Sequence, residues 1–270
     1  MQTLKLKKSE FDFLKEYIYN NIGISLSEQK IYLVQGRLSK RLKELGLSSF
    51  EEYCKLLSDD IKRSELSYLA SLISTNVTSF FREESQWRFL EKNIETIGLN
   101  KRLRIWSAAS STGEEPYSIN MFLHEHITDI VNWDVKILAT DISTKVLKIA
   151  QAGEYKTKAY EMLSKRYQIK YFTKAGLDTF AIKPFIKKDI KFRLFNLVTG
   201  DYKVFGGKKF DIIFCRNVMI YFDKKTQNEL VAKFYNLLNM GGYLFIGSSE
   251  ALTDIKQGFK LVSGSIYKKV

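Results

Sequence analysis

A run of six small residues, 107–112, is the first part of the sequence that could form a ligand site. It follows an apolar segment, 103–106, and leads to Gly113, after which two acids and Pro116 are typical of the first turn of a helix. A strand, a turn of small residues and a helix form the ligand-binding corner of an open α/β sheet. Both glycine-rich phosphate motifs, GxGxxG and GK[ST], are absent, so the corner is not shaped for a pyrophosphate or a triphosphate. An ordinary strand-to-helix loop is the alternative.

Asp141 is the second candidate, because it comes one residue after the next predicted strand, 135–140, and 28 residues beyond Gly113. An acid at the tip of this strand can accept hydrogen bonds from both hydroxyls of a ribose. That position therefore suits a nucleoside ligand. The alternative is an aspartate that caps the helix predicted to begin at Ser143.

Residues 74–85, STNVTSFFREES, gather several types of functional group in a short segment. Asn76 and Thr78 offer hydrogen bonds, two phenylalanines offer an apolar wall, and Arg82 offers a planar fork of donors that can orient a carboxylate. The alternative for Arg82 is a surface ion pair with Glu83 or Glu84, which would contribute little.

Residues 214–223, FCRNVMIYFD, place polar side chains at the end of another predicted strand. Arg216 and Asn217 lie past its carboxyl end, where ligands of open sheets bind, and Tyr221 follows five residues after Arg216. We expect the apolar residues of this segment to belong to the core.

The elements that must position these residues fall into two parts. Apolar residues at three- and four-residue steps predict a helical bundle over 9–71, and we place a helical domain at 1–84. Residues 85–270 begin with a linking helix and then alternate short apolar strands with helices, which predicts a mostly parallel sheet. Short alternating segments at about 168–195 predict a small antiparallel β insert in this second domain, and 261–268 predicts a closing strand with a turn at 263–265.

Charge and composition limit the classes of partner. The net charge of +13 is uneven, since residues 151–209 carry 14 basic and five acidic side chains while residues 1–85 carry 13 and 12. A basic face suits nucleic acid, anionic lipid or an acidic protein, or it is only solvated lysine. The second predicted helix also carries Arg37, Lys40 and Arg41 on one face, which either docks on an acidic helix or is a solvated surface.

The remaining residue types exclude several kinds of site and compartment. The start of the chain has no signal-peptide core and no apolar run is long enough to span a membrane, so we expect a cytoplasmic protein without membrane insertion. The two cysteines are far apart, which argues against a disulfide scaffold. His124 and His126 point to different faces of one predicted helix, so no metal is expected between them.

Taken together, these segments resemble one family, the bacterial chemotaxis receptor methyltransferases, CheR. The resemblance covers nearly the whole chain. The matching segments are TNVTSFFRE (75–83), RIWSAASSTGEEPYSI (104–119), ATDIS (139–143), FNL (195–197), FCRNVMIYFD (214–223) and GSSE (247–250). GSSE departs from the glycine, histidine, serine, glutamate run of many members.

The resemblance implies an α/β, Rossmann-like methyltransferase that uses S-adenosylmethionine, with S-adenosylhomocysteine as product. It places Arg82 and Tyr221 nearest the transferred methyl group, as catalytic residues. It places the receptor against the basic helix, through Arg37, Lys40 and Arg41. The cofactor residues that it implies are Asn76, Thr78 and Arg82 near the methyl end, Ala109 and Glu115 near the methionine part, Asp141 at the ribose, Asn196 and Leu197 at the adenine, and Arg216 and Asn217 completing the pocket.

The function that the resemblance implies is esterification of glutamate side chains on the cytoplasmic helices of methyl-accepting chemotaxis receptors. A glutamate with a pKa of about 4.3 is already a carboxylate at neutral pH, so the reaction needs no general base. The resemblance leads us to expect a monomer, recruited to receptor arrays, that binds no nucleic acid. The alternatives are a methyltransferase acting on RNA or a small molecule, and an inactive cofactor-binding signalling module.

Overall fold

The computed structural model describes residues 4–60, 64–252 and 258–270. None of the helices in these ranges is both long enough and apolar enough to cross a bilayer. The first part of the chain folds as a helical bundle, in which the apolar stripes read from the sequence face inward; Phe11, Leu14 and Leu38, for example, are fully buried. The bundle consists of α1 (Lys8–Ile22), α2 (Ile31–Glu44), α3 (Phe50–Asp59) and α4 (Ser64–Ile73).

The rest of the chain alternates helices and strands. Its elements in chain order are α5 (Glu84–Ile97), β1 (Arg102–Ser107), α6 (Glu114–His126), β2 (Asp134–Asp141), α7 (Thr144–Ala152), β3 (Glu154–Lys156), α8 (Thr157–Glu161), α9 (Lys165–Tyr171), β4 (Phe172–Gly176), β5 (Thr179–Ile182), α10 (Pro184–Lys187), β6 (Ile190–Leu194), β7 (Phe210–Cys215), α11 (Lys224–Leu237), β8 (Leu238–Ile246), β9 (Phe259–Ser263) and β10 (Ile266–Lys269).

Seven strands form one large sheet in the order β6-β2-β1-β7-β8-β10-β9. The first five are parallel to one another, β10 is antiparallel to β8, and β9 is antiparallel to β10. The expected mostly parallel sheet is therefore confirmed. The closing segment forms two strands joined by a turn at Gly264, which has a φ of +47°.

A second, three-stranded antiparallel sheet has the order β3-β5-β4. A small antiparallel insert is confirmed, but its expected extent, about 168–195, is wrong at both ends. Its first strand begins at Glu154, and α9 occupies 165–171, where no helix was expected. Residues 190–194 leave the insert altogether, because they pair in parallel with β2 and become an edge of the large sheet.

The bundle packs directly against the large sheet, and both contribute to one apolar cluster that contains Leu14 and Leu38 as well as Trp106 and Leu244. Polar contacts join the same two parts. The hydroxyl of Tyr19 donates to Asp223 at 2.8 Å, and the hydroxyl of Ser67 donates to the carbonyl of Ile142 at 2.9 Å. The two parts therefore enclose the space above the strand ends between them.

The connections from the central strand β1 determine where that space lies. The chain leaves β1 for β2 on one side, and β7 pairs with β1 on the other. A crevice opens at the carboxyl ends of the strands where the strand order reverses in this way, and ligands of open α/β sheets bind there.

Candidate functional site

A cavity lies between the carboxyl ends of β1, β2 and β7 and the bundle. Every residue that the resemblance assigned to catalysis or to the cofactor lines this one cavity, although they come from distant parts of the chain. These residues are Asn76, Thr78, Arg82, Ala109, Glu115, Asp141, Asn196, Leu197, Arg216, Asn217 and Tyr221.

The turn of small residues forms the corner expected of it. Gly113 precedes α6 with a φ of +97°, a conformation that residues with a Cβ rarely adopt. A Cβ at this glycine would also lie 2.9 Å from the Cβ of Ala150. Ser111 has a φ of +47°, and its hydroxyl donates to the carbonyl of Asn76 at 3.0 Å. The loop is therefore held in a strained shape against the segment that follows the bundle.

Asp141 ends β2 and is held by two backbone N–H groups. Its Oδ2 accepts from Ser111 at 2.9 Å, and its Oδ1 accepts from Ser143 at 2.9 Å. The cap of α7 is Ser143, whose hydroxyl accepts from the backbone of Val146 at 3.4 Å, so the capping alternative for Asp141 is wrong. The Asp141 side chain holds the loop before the helix and lines the cavity. Burial raises the pKa of the Asp141 carboxyl above its ordinary value, while the backbone hydrogen bonds oppose the increase.

The raised pKa of Asp141 leads to a pH dependence of cofactor binding. A protonated carboxyl loses acceptor capacity for ribose hydroxyls, so the affinity for S-adenosylhomocysteine is expected to fall as the pH is lowered from 8 to 5. Asp141→Asn should weaken binding about 10- to 100-fold at pH 8 and reduce this slope. Calorimetry at several pH values measures both effects. Burial raises the pKa of Glu115 too, so some slope should remain; an unchanged slope in the variant would contradict the assignment.

Arg216 is the centre of a buried charge network. Its Nη1 lies 3.3 Å from Glu115, its Nη2 lies 3.5 Å from Glu83, and the same Nη2 donates to the carbonyl of Arg82 at 2.6 Å. Glu115 also accepts from the hydroxyl of Ser107 at 2.7 Å. Burial raises the pKa of the Glu115 carboxyl, and the nearby Arg216 guanidinium opposes that increase.

Arg82 and Tyr221 both contact the segment 75–77. An N–H of Arg82 donates to the carbonyl of Val77 at 3.1 Å, and the hydroxyl of Tyr221 accepts from the backbone of Thr75 at 3.1 Å. Glu83 pairs with Arg216 and Glu84 pairs with Arg88, so the surface ion pair considered for Arg82 is not formed. Arg82 and Tyr221 therefore stand at one wall of the cavity.

Several predicted cofactor residues use their side chains to shape the wall. Asn196 donates to the carbonyl of Asn21 in α1 at 2.7 Å and accepts from the backbone of Val198 at 2.9 Å. Asn217 has a φ of +56°, and its side chain lies 3.4 Å from Glu83. We expect such residues to contact a ligand through their backbone as well as their side chains.

Two carboxylates of the site were not assigned from the sequence. Glu250 accepts from the backbone of Gly247, Asn217 and Ile220 at 2.6, 3.0 and 3.2 Å, so it holds the loop after β7 in place. Glu83 accepts from the backbone of Ser248 at 3.1 Å. The only sequence signal was that both lie in segments already matched to the family, at the ends of TNVTSFFRE and GSSE.

The three cations assigned to the receptor do not line the cavity. Arg37 donates to the carbonyl of Leu72 at 3.1 Å, at the end of α4. Arg41 pairs with the buried Glu65 at 2.6 Å and stacks on Tyr68, 4.0 Å from the ring centroid. Lys40 is exposed. Two of the three are therefore engaged within the bundle, and the receptor role stays a prediction.

The residues present fit S-adenosylmethionine. The Nε of Arg216 is buried and has no hydrogen-bond partner among the described residues, which leaves a donor for a ligand carboxylate at the wall of the cavity. Glu115 offers a carboxylate for an ammonium group, and Asp141 offers one for ribose hydroxyls.

Comparison with known proteins agrees with this fit. The family model described as CheR methyltransferase, SAM binding domain, matches residues 76–268, and the model described as CheR methyltransferase, all-alpha domain, matches residues 9–74. The fold and the cavity are thus those of an S-adenosylmethionine-dependent methyltransferase. The chain belongs to the CheR methyltransferase family.

Individual relatives cover almost the full length. A chemotaxis protein methyltransferase of Borreliella burgdorferi is 43% identical over 98% of this chain and 96% of its own. The chemotaxis protein methyltransferase of Escherichia coli is 36% identical over 98% of this chain and 92% of its own. Among solved structures, an S-adenosylmethionine-dependent methyltransferase from Mesorhizobium loti is 16% identical, with a TM-score of 0.32 over 57% of this chain and 51% of that one.

Proposed function

We propose that this protein transfers methyl groups from S-adenosylmethionine to glutamate side chains of chemoreceptors, which gives glutamate methyl esters and S-adenosylhomocysteine and serves adaptation in chemotaxis. Relatives named chemotaxis protein methyltransferases match it over nearly their whole length, which supports the assignment to chemotaxis. The composition of the cavity wall supports the choice of a carboxylate as the methyl acceptor.

The wall of the cavity lacks the groups that usually remove protons at neutral pH. Among the described residues that line it there is no histidine, lysine or cysteine. Of its two carboxylates, Asp141 is buried and Glu115 has 12% of its side chain exposed. An amine or hydroxyl acceptor would call for a base, whereas a glutamate carboxylate is ionised already. This observation is the one on which the proposed substrate class depends most.

The chain's own residues then act by positioning. When bound, S-adenosylmethionine supplies a methyl group on a positively charged sulfur, which a nucleophile can accept. Arg82 orients the incoming carboxylate by charge-assisted hydrogen bonds, and Tyr221 keeps the segment at Thr75 closed over the cavity. Holding two reactants in line can contribute about 7 to 11 kcal/mol, so a site without a base is sufficient.

Methyl transfer to receptor-containing membranes tests the proposal. With radiolabelled S-adenosylmethionine, we expect label in the receptor that is released as methanol in mild alkali, because esters are hydrolysed there and N-methyl groups are not. A receptor whose acceptor glutamates are replaced by alanine is the matched control. Alkali-stable label, label in RNA or in a small molecule, or no transfer at all would each contradict the proposal.

We further propose that the protein works in the cytoplasm, at receptor arrays and as a monomer, with Lys40 contacting an acidic receptor helix. We also propose that the boundary between the two domains lies at residue 84.

Lys40→Glu tests the receptor contact. Because an exposed rim charge mainly affects association, it should raise the KM for the receptor about 3- to 10-fold and leave the affinity for S-adenosylhomocysteine unchanged. Steady-state transfer assays measure the KM. Lys148→Glu, an exposed lysine on α7, is the control. Equal effects of the two substitutions would argue against the contact.

A further inference from the structure

A second cavity opens on the other side of Phe195, and nothing in the methyl-transfer reaction uses it. It is open to solvent on one side, and its volume is about 510 Å³. It lies over β6, β2 and the first half of β1, beside the segment that leads into β7. A space of this size accommodates a ligand as large as a nucleotide.

The wall of the second cavity is strongly cationic. Six basic side chains line it, and there is no carboxylate among the described residues that do so. Arg104 is neutralised by Asp134, an exposed acid just outside. The others project from β1, from β6 and from the segment before β7, and all five are exposed: Arg102, Lys191, Arg193, Lys208 and Lys209.

The remaining lining residues are mostly apolar, so the cavity offers two kinds of contact. Phe205 and Phe210 form a closed floor, and Leu138, Phe195 and Val204 present partly or fully exposed apolar surface. Cations around an apolar floor suit a ligand that has a planar or apolar part and several negative charges.

Phe195 lies between the second cavity and the cofactor cavity and lines both of them. Its side chain lies in the walls of both cavities, and its backbone N–H donates to the carbonyl of Asp141 at 3.0 Å. Its ring is fixed by Tyr202 at 5.1 Å and Phe205 at 5.4 Å between centroids. The next two residues, Asn196 and Leu197, line the cofactor cavity.

We propose that this second cavity is a binding site for a nucleotide-sized organic phosphate, with the phosphates held by Lys191, Arg193, Lys208 and Lys209 and the base against the apolar floor. The site is distinct from the cofactor cavity and shares one wall with it. It uses four of the 14 basic residues in 151–209.

Equilibrium binding of ATP to the full chain, in the presence of saturating S-adenosylhomocysteine, tests the proposal. We expect saturable binding that Lys191→Gln/Arg193→Gln weakens at least tenfold. Lys145→Gln/Lys148→Gln, an exposed pair on α7, should change it less than twofold. Both double variants should retain the wild-type affinity for S-adenosylhomocysteine, which shows that they are folded.

Two further probes distinguish the ligand class. Inorganic tripolyphosphate should bind at least tenfold more weakly than ATP, because it cannot use the apolar floor. Poly-L-glutamate should not bind at the same site. The proposal is overturned if ATP does not bind, if S-adenosylhomocysteine displaces it, if both double variants weaken it equally, if tripolyphosphate binds as tightly, or if poly-L-glutamate displaces ATP from the wild-type protein.

Discussion

Replacing Arg82 with alanine is expected to lower kcat for methyl transfer about 100- to 1000-fold, the usual effect of removing one donor that acts in the transition state. The affinity for S-adenosylhomocysteine should change less than about tenfold, since most of the cavity wall does not involve this side chain. Only one hydrogen bond joins the Arg82 guanidinium to the described part of the protein, at Val77, which leaves donors for the substrate. Single-turnover transfer and calorimetry measure the two quantities.

Arg88→Ala is the matched control, because Arg88 is an exposed arginine six residues further along that pairs with Glu84. It should leave both kcat and the affinity near wild type. The Tm of the Arg82→Ala protein should also stay close to wild type, which separates a role in the reaction from a role in folding. Full turnover in Arg82→Ala would refute the catalytic assignment.

Replacing Arg216 with methionine is expected to destabilise the protein by about 3 to 5 kcal/mol, because the change leaves buried carboxylates without their cation. Glu115 lies 3.3 Å and Glu83 lies 3.5 Å from the lost guanidinium. In a chain of this size the loss corresponds to a fall in Tm of about 10 °C. Thermal and urea unfolding measure it.

The pH dependence of the Arg216→Met protein gives a second readout. Burial already raises the pKa of Glu115, and removing Arg216 takes away an effect that lowers it. The folded variant then holds a proton that the unfolded chain releases, so its free energy of unfolding should fall as the pH rises from 5 to 8. The deficit relative to wild type should therefore be smaller at pH 5.

A compensating substitution distinguishes this cause from a general packing defect. Arg216→Met/Glu115→Gln removes one of the stranded charges and should recover about half of the lost stability. Arg88→Met, at an exposed position, should have almost no effect. A double variant no more stable than the single one would mean that the carboxylate at 115 is not the source of the loss.

Sequence patterns predicted which residues would lie close together, because the carboxyl ends of parallel strands meet at the same edge of the sheet. Asp141 and Arg216 lie 75 residues apart, yet Asp141 ends and Arg216 follows a parallel strand that pairs with β1, so both reach the same edge of the sheet. The helices of the bundle were equally readable, since their apolar stripes, such as the one through Val34 and Leu38, are the surfaces that become buried.

The sequence was less informative where the structure depends on which strand a segment pairs with. The alternation in 190–194 correctly indicates a strand, but it cannot show which strand it pairs with. An edge strand with Lys191 and Arg193 on one face and the buried Phe192 on the other has the pattern of an antiparallel insert.

The sequence also did not reveal which groups the charged side chains contact. Arg37 and Arg41 are on the polar side of their helix by periodicity, yet α4 approaches closely enough to engage both. Glu83 and Glu250 are ordinary acids in the sequence, and only the folded chain brings backbone donors around them. Exposure of a cation or burial of an acid is set by contacts distant in sequence, which spacing does not reveal.

The contacts between the bundle and the large sheet limit which parts of the chain can be exchanged between relatives. Tyr19 is hydrogen-bonded to Asp223, Ser67 to Ile142, and Thr75 to Tyr221, so the bundle helps to position the wall of the cavity. A chimera that takes only the amino-terminal helices from another relative must also take the residues of the second domain that contact these helices. The bundle and the cofactor cavity are thus inherited together rather than as interchangeable modules.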